Sequence, residues 1–91
     1  MQPTEEQLKK FWEKCGFKQH TPIGYRYIYP DYRIAPLPPI DLNNLFKYAV
    51  PKLTKPELTY VLNDWNIRML LFGQDPALAL FWALYEVLNR H

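Results

Sequence analysis

Proline governs what this chain can fold into. Nine prolines stand against three glycines in 91 residues. Each proline fixes its own φ and removes a donor from any helix interior or sheet ladder. Pro22, Pro30, Pro36, Pro38, Pro39, Pro51, Pro56 and Pro76 fall where the periodicity of the sequence changes, and only Pro3 lies in a tail. Regular elements are therefore expected between these positions, joined by stiff connectors that lower the entropy of the unfolded chain. This matters in a single domain, residues 1–91, of a size that buries only about 60–70% of its unfolded surface.

Thr4 and Gln7 have the spacing of a capping box. Leu8, Phe11, Trp12 and Cys15 then recur at i, i+3, i+4 and i+7, a helical stripe that Gly16 is placed to end. From Pro22 the period becomes two: Ile23, Tyr25, Tyr27 and Tyr29 alternate with Gly24, Arg26 and Ile28, as in a strand. Pro30-Asp31 is turn chemistry, and Tyr32–Ala35 is expected to return as a second short strand. Pro36-Leu37-Pro38-Pro39 reads as an extended connector. Asp41 is a good N-cap for a helix with Leu42, Leu45, Phe46 and Ala49 on one side, ending or kinking near Val50 because Pro51 lacks a donor.

The stretch 57–72 supports two readings. Thr54 and Glu57 suit a second capping box, with Leu58, Val61, Leu62 and Trp65 on a helical face. The strand preference of Thr59-Tyr60-Val61 and the polar Asn63-Asp64-Trp65-Asn66 quartet instead favour a hairpin, Leu58–Leu62 with Ile67–Phe72. The hairpin is the preferred expectation. Gly73-Gln74-Asp75-Pro76 then opens a helix to about Asn89, with Asp75 as cap and Pro76 at its first position. The order α-β-β-α-(β-β)-α gives an α+β class. It suggests a small α/β/α-type sandwich, with a three- or four-stranded, mostly antiparallel sheet and three helices. Phe11, Trp12, Phe46, Phe72 and Phe81 are its expected aromatic core.

Composition removes several function classes. A net charge of +2 is too mild for the basic footprint of a nucleic-acid binder. One cysteine cannot form an internal disulfide, and with two histidines it cannot build a zinc site of standard spacing. The apolar run 77–85 is far short of the ~20 residues that span a bilayer. The acidic, polar start Gln2–Glu6 is unlike a signal peptide. A reducing, cytoplasmic setting is expected, with no cofactor and no metal. There is no Gly-rich phosphate loop, Gly-x-Ser-x-Gly elbow or HExxH pattern.

The candidate binding residues are Tyr25, Arg26, Tyr27, Tyr29, Tyr32 and Arg33, with Lys18 and His20 nearby. Tyrosine joins an apolar ring to a hydroxyl, which suits stacking on a base or a partner surface, and arginine can fork onto phosphate or carboxylate. The plainer reading packs alternate tyrosines under a helix and leaves the arginines in solvent. The last helix is apolar on more than one face. It is either central to the core, or Trp82 and Tyr85 extend into an interface with a partner or a second copy. The carboxylates have structural roles open to them: Asp31 and Asp64 in turns, Asp41 and Asp75 as caps, Glu86 facing solvent. Cys15 is expected to be an inert core thiol.

Two segments, residues 37–53 (Leu-Pro-Pro-Ile-Asp-Leu-Asn-Asn-Leu-Phe-Lys-Tyr-Ala-Val-Pro-Lys-Leu) and 75–84 (Asp-Pro-Ala-Leu-Ala-Leu-Phe-Trp-Ala-Leu), resemble blocks in short proteins of bacteriophages and prophages. The layout is similar to the phage ABA (α/β/α) sandwich domain family. That resemblance implies a viral or prophage origin and a layered fold, and brings no catalytic residues. The expected function is binding without catalysis, by a protein-interaction module that modulates a host or phage factor. The alternative is a sponge for a nucleotide second messenger, with Tyr25, Tyr27 or Tyr29 on the base and Arg26 or Arg33 on phosphate.

Overall fold

A computed structural model describes residues 2–20 and 26–91. Helix α1 (Glu5–Lys14) opens on the expected capping box: the Thr4 N–H donates to Gln7 Oε1 at 2.9 Å, and the Gln7 N–H to Thr4 Oγ1 at 3.1 Å. Gly16, at φ +101°, reverses the chain beyond it. The Phe17 N–H then closes on the Trp12 carbonyl at 3.1 Å. Phe11, Trp12, Cys15 and Phe17 are buried by this end of the helix.

Three strands of two residues follow, β1 (Lys18–Gln19), β2 (Tyr27–Ile28) and β3 (Ile34–Ala35), antiparallel in that order. Lys18 pairs with Ile28 and Gln19 with Tyr27, while on the other side Tyr27 pairs with Ala35 and Ile28 with Ile34. The β2–β3 hairpin is the one expected around Pro30-Asp31, though shorter, because Tyr32 takes a left-handed conformation (φ +69°) that ends the pairing. The expected strand start at residues 22–25 lies outside the described residues.

Asp41 caps α2 (Leu42–Asn44), accepting from the Asn44 N–H at 2.8 Å. The chain then widens into a π-helical segment, Leu45–Ala49, closed by the Val50 N–H on the Leu45 carbonyl, and tightens into a 3₁₀ turn, Val50–Lys52. Pro51 has no N–H to offer and its ring crowds the carbonyl four residues earlier, so a regular α-helix cannot run through this point. The widened segment buries Leu45, Tyr48 and Ala49 and leaves Phe46 43% exposed. Phe46 is therefore not the core residue the spacing suggested.

The expected hairpin over 57–72 is instead helix α3 (Lys55–Leu70). Its capping box is complete: the Thr54 N–H donates to Glu57 Oε1 at 2.9 Å and the Glu57 N–H to Thr54 Oγ1 at 3.4 Å, with Pro56 in the first turn. Asp64, expected in a turn, lies mid-helix and pairs with Arg68 one turn on at 3.0 Å. These local terms, together with docking on α4, outweigh the strand preference of Thr59-Tyr60-Val61. Phe72, expected in the core, sits in the turn beyond α3 and is exposed, since Gly73 at φ +61° reverses the chain just after it.

Asp75 caps α4 (Pro76–Leu88), accepting from the Ala77 and Leu78 N–H groups at 3.1 and 3.2 Å. The fold is thus α+β, with four helices in place of three and a three-stranded antiparallel sheet among the described residues. Its centre is α4, which buries Ala79, Leu80, Phe81, Ala83, Leu84, Val87 and Leu88 against the other helices.

Candidate functional site

The tyrosine hairpin divides by parity. Tyr27 and Tyr29, two residues apart, both point inward and are buried. Tyr29 packs edge-on to Phe17 (4.7 Å) and Tyr48 (5.9 Å), and its hydroxyl donates to the Pro36 carbonyl at 2.6 Å. Burial pushes its pKa up. Tyr29 joins the sheet to the core cluster, while Tyr27 borders the cleft beside α1. Tyr32, by contrast, is 88% exposed.

Arg33 is already occupied. Its guanidinium lies over the Tyr29 ring at 4.5 Å, donates to the Tyr48 hydroxyl at 3.0 Å and bridges Asp31 at 3.2 Å. The Tyr48 hydrogen bond, ahead of Asp31, holds its pKa above the ordinary arginine value. Arg26 is exposed beside β2. Tyr25 lies outside the described residues. The structure therefore brings Tyr29, Arg33, Asp31 and Tyr48 together, with Tyr32 beside Tyr29 at the rim of a cleft of about 350 Å³.

Cys15 is buried beside Trp12, and desolvation pushes its thiol up to about 12. Such a thiol is a poor nucleophile at neutral pH. A cleft of about 570 Å³ lies beside α1, lined by Glu5, Glu6, Leu8, Lys9, Gln19, Tyr27 and Leu37. Among the described residues no three His, Cys, Asp or Glu groups converge as metal ligands, and no helix is long and apolar enough to cross a membrane.

Trp82 and Tyr85, expected at an interface, are half-buried. They pack on Phe81 at 4.9 and 5.7 Å and on each other at 5.5 Å. Among the described residues the largest exposed apolar surface is elsewhere, on α3 and the turn that follows it. Leu70 and Leu71 are each 74% exposed and Phe72 71%, with Tyr60, Leu62 and Ile67 also exposed.

This surface arises because the charges of α3 are turned toward α4. Arg68 bridges Asp64 at 3.0 Å and Glu86 at 3.4 Å, and Glu86 also meets Arg90 at 3.3 Å. Glu57 meets His91 at 2.7 Å. The backbone hydrogen bond at Thr54, then His91, holds the Glu57 carboxyl below the usual range. Glu86 was expected to face solvent, and it does so while tying α3 to α4. With these groups turned inward, every exposed position from 59 to 73 is uncharged. Sequence reasoning missed this site because it placed Ile67–Phe72 in a strand. The available signal was the charge-free run Met69–Gln74.

Compared with known proteins, the chain matches no family model, no curated protein and no solved structure.

Proposed function

We propose that this protein works by binding another protein, and that the contact surface is the outer side of α3 with the Leu71–Gly73 turn. One observation carries the reading. A small domain leaves Leu70, Leu71 and Phe72 about three-quarters exposed in one continuous, charge-free surface. Isolated exposed apolar residues need no explanation, but contiguous patches mark interaction sites. Depletion of charge and presence of aromatic residues are the composition of an interface centre.

The resemblance of residues 37–53 and 75–84 to phage and prophage blocks supplies the setting: an accessory protein acting on a host or phage factor in the bacterial cytoplasm. The α/β/α-type sandwich reading has that resemblance alone behind it, since the core is built around α4 and the strands are two residues long. The nucleotide-sponge reading has less support, because Tyr27 and Tyr29 are buried and Arg33 is engaged by Asp31, Tyr29 and Tyr48.

A photo-reactive residue placed at Leu70, and as a control at Lys10 on the outer side of α1, tests the reading in cells producing the chain. Protein adducts are expected from position 70 and not from position 10. An absence of adducts from position 70 overturns the proposal.

A further inference from the structure

We propose that the occupant of the α3 surface is a second copy of this chain, packed by α3 against α3 about a two-fold axis. The inference rests on the reading of this surface as protein-binding and adds the identity of the partner.

Area is the first argument. Tyr60, Leu62, Ile67, Leu70, Leu71 and Phe72 are between 40% and 74% exposed. At about 150–200 Å² for a large side chain, they offer roughly 500–700 Å² of mainly apolar surface. Thr59, Asn63 and Asn66 lie among them and are also exposed. A standard interface takes roughly 800 Å² from each partner, so with these three residues added this one face approaches the size a dimer needs.

Charge is the second argument, and it selects a copy of the chain over a foreign partner. In a two-fold contact each residue near the axis meets its own image. A charge there faces a like charge, which is costly in a desolvated interface. Beyond its first turn, where Lys55 is exposed, the outer side of α3 satisfies this condition: Asp64 and Arg68 pair with each other and with Glu86, and Glu57 with His91. From Thr59 onward the polar groups left outward are amides and hydroxyls. An asparagine amide both donates and accepts, so it can pair with its own image. A foreign partner can set an opposite charge against each charge it meets, whereas a two-fold copy cannot at its axis, and an isolated outer face would ordinarily carry charges, as α1 does at Glu5, Glu6, Lys10, Glu13 and Lys14.

Sedimentation equilibrium of the full chain, from low to high micromolar concentration, tests this directly. The expected mass rises to twice that of the chain, and Leu70→Glu holds it at the monomer with an unchanged circular dichroism spectrum. Asn66→Asp and Asn66→Lys test the two-fold geometry. Each alone is expected to weaken association at least tenfold, and an equal mixture to restore it, because only the mixed pair sets opposite charges across the axis. A wild-type chain that stays monomeric throughout overturns the inference, as does wild-type association by both Asn66 variants or a mixture no better than its parts. The adduct formed from position 70 separates this failure from that of the wider reading. A product of twice the chain mass supports the dimer. An adduct of any other protein mass, with a monomeric chain, overturns the dimer and leaves protein binding standing, and no adduct overturns both.

Discussion

Helices α1 and α3 begin with the same device, a threonine capping box, and differ in almost everything after it. In ten residues α1 buries Phe11 and Trp12, and every exposed position on it is charged. In sixteen residues α3 fully buries Val61 alone, and from Thr59 onward its exposed side carries no charge. One helix is finished on both sides, with an apolar face in the core and a charged face in water. The other is finished on one side only. Helix stability in a small protein comes mainly from the packed face, so α1 gains more per residue from this fold than α3 does.

Substitutions at matched depths test that contrast. The largest effect is expected from Trp12→Ala, which empties the space between Phe11 (4.9 Å) and Phe17 (5.1 Å). It should cost about 3–5 kcal/mol in urea denaturation, enough to unfold much of a marginal domain. Val61→Ala, the counterpart on α3, removes far less buried surface and should cost about 2 kcal/mol by the same measurement. If the two costs were equal, the contrast would fail. Thr4→Ala and Thr54→Ala each remove one capping box and should each cost about 1 kcal/mol, read as a shift in thermal midpoint. Leu70→Ser should change monomer stability by less than about 0.5 kcal/mol, since the side chain is already in solvent.

A pH titration probes the α3–α4 junction. The Glu57 carboxyl is held below its ordinary range in the folded state by the Thr54 backbone and by His91. Its contribution to stability is therefore complete above the unfolded value near ~4.3 and is lost as pH falls through the lower folded value. Thermal midpoints of Glu57→Gln should accordingly fall less steeply below that point than those of the wild type. A parallel loss in both proteins would remove Glu57 from the account.

The elements whose signals are local were readable from the chain. Thr4 with Gln7, Asp41, and Asp75 with Pro76 each start a helix where the sequence places one, because a cap is set by residues three apart. The inward pair Tyr27 and Tyr29 followed from alternation. Helix α3 was obscured by the property that makes it interesting. Apolar residues on its outer side cancel the polar–apolar period by which a helix is recognised, and Thr59-Tyr60-Val61 then tips the balance toward a strand. Trp82 and Tyr85, the interface residues suggested by an apolar last helix, pack on Phe81 and on each other. Strand β1 had no pattern to find, since Lys18 and Gln19 are polar and joined to the sheet only by long-range pairing.

The π-helical segment at Leu45–Ala49 has a consequence for the molecule as a whole. One additional residue in a single turn is a phase shift, and it resets the direction of every ring carried on it. Tyr48 goes inward to the Arg33 guanidinium at 3.0 Å, while Phe46 meets Trp65 of α3 at 5.8 Å. The hairpin side and the α3 side thus take their alignment from the same angular setting. Relaxing that turn to ordinary α-helical pitch would rotate both rings out of register together.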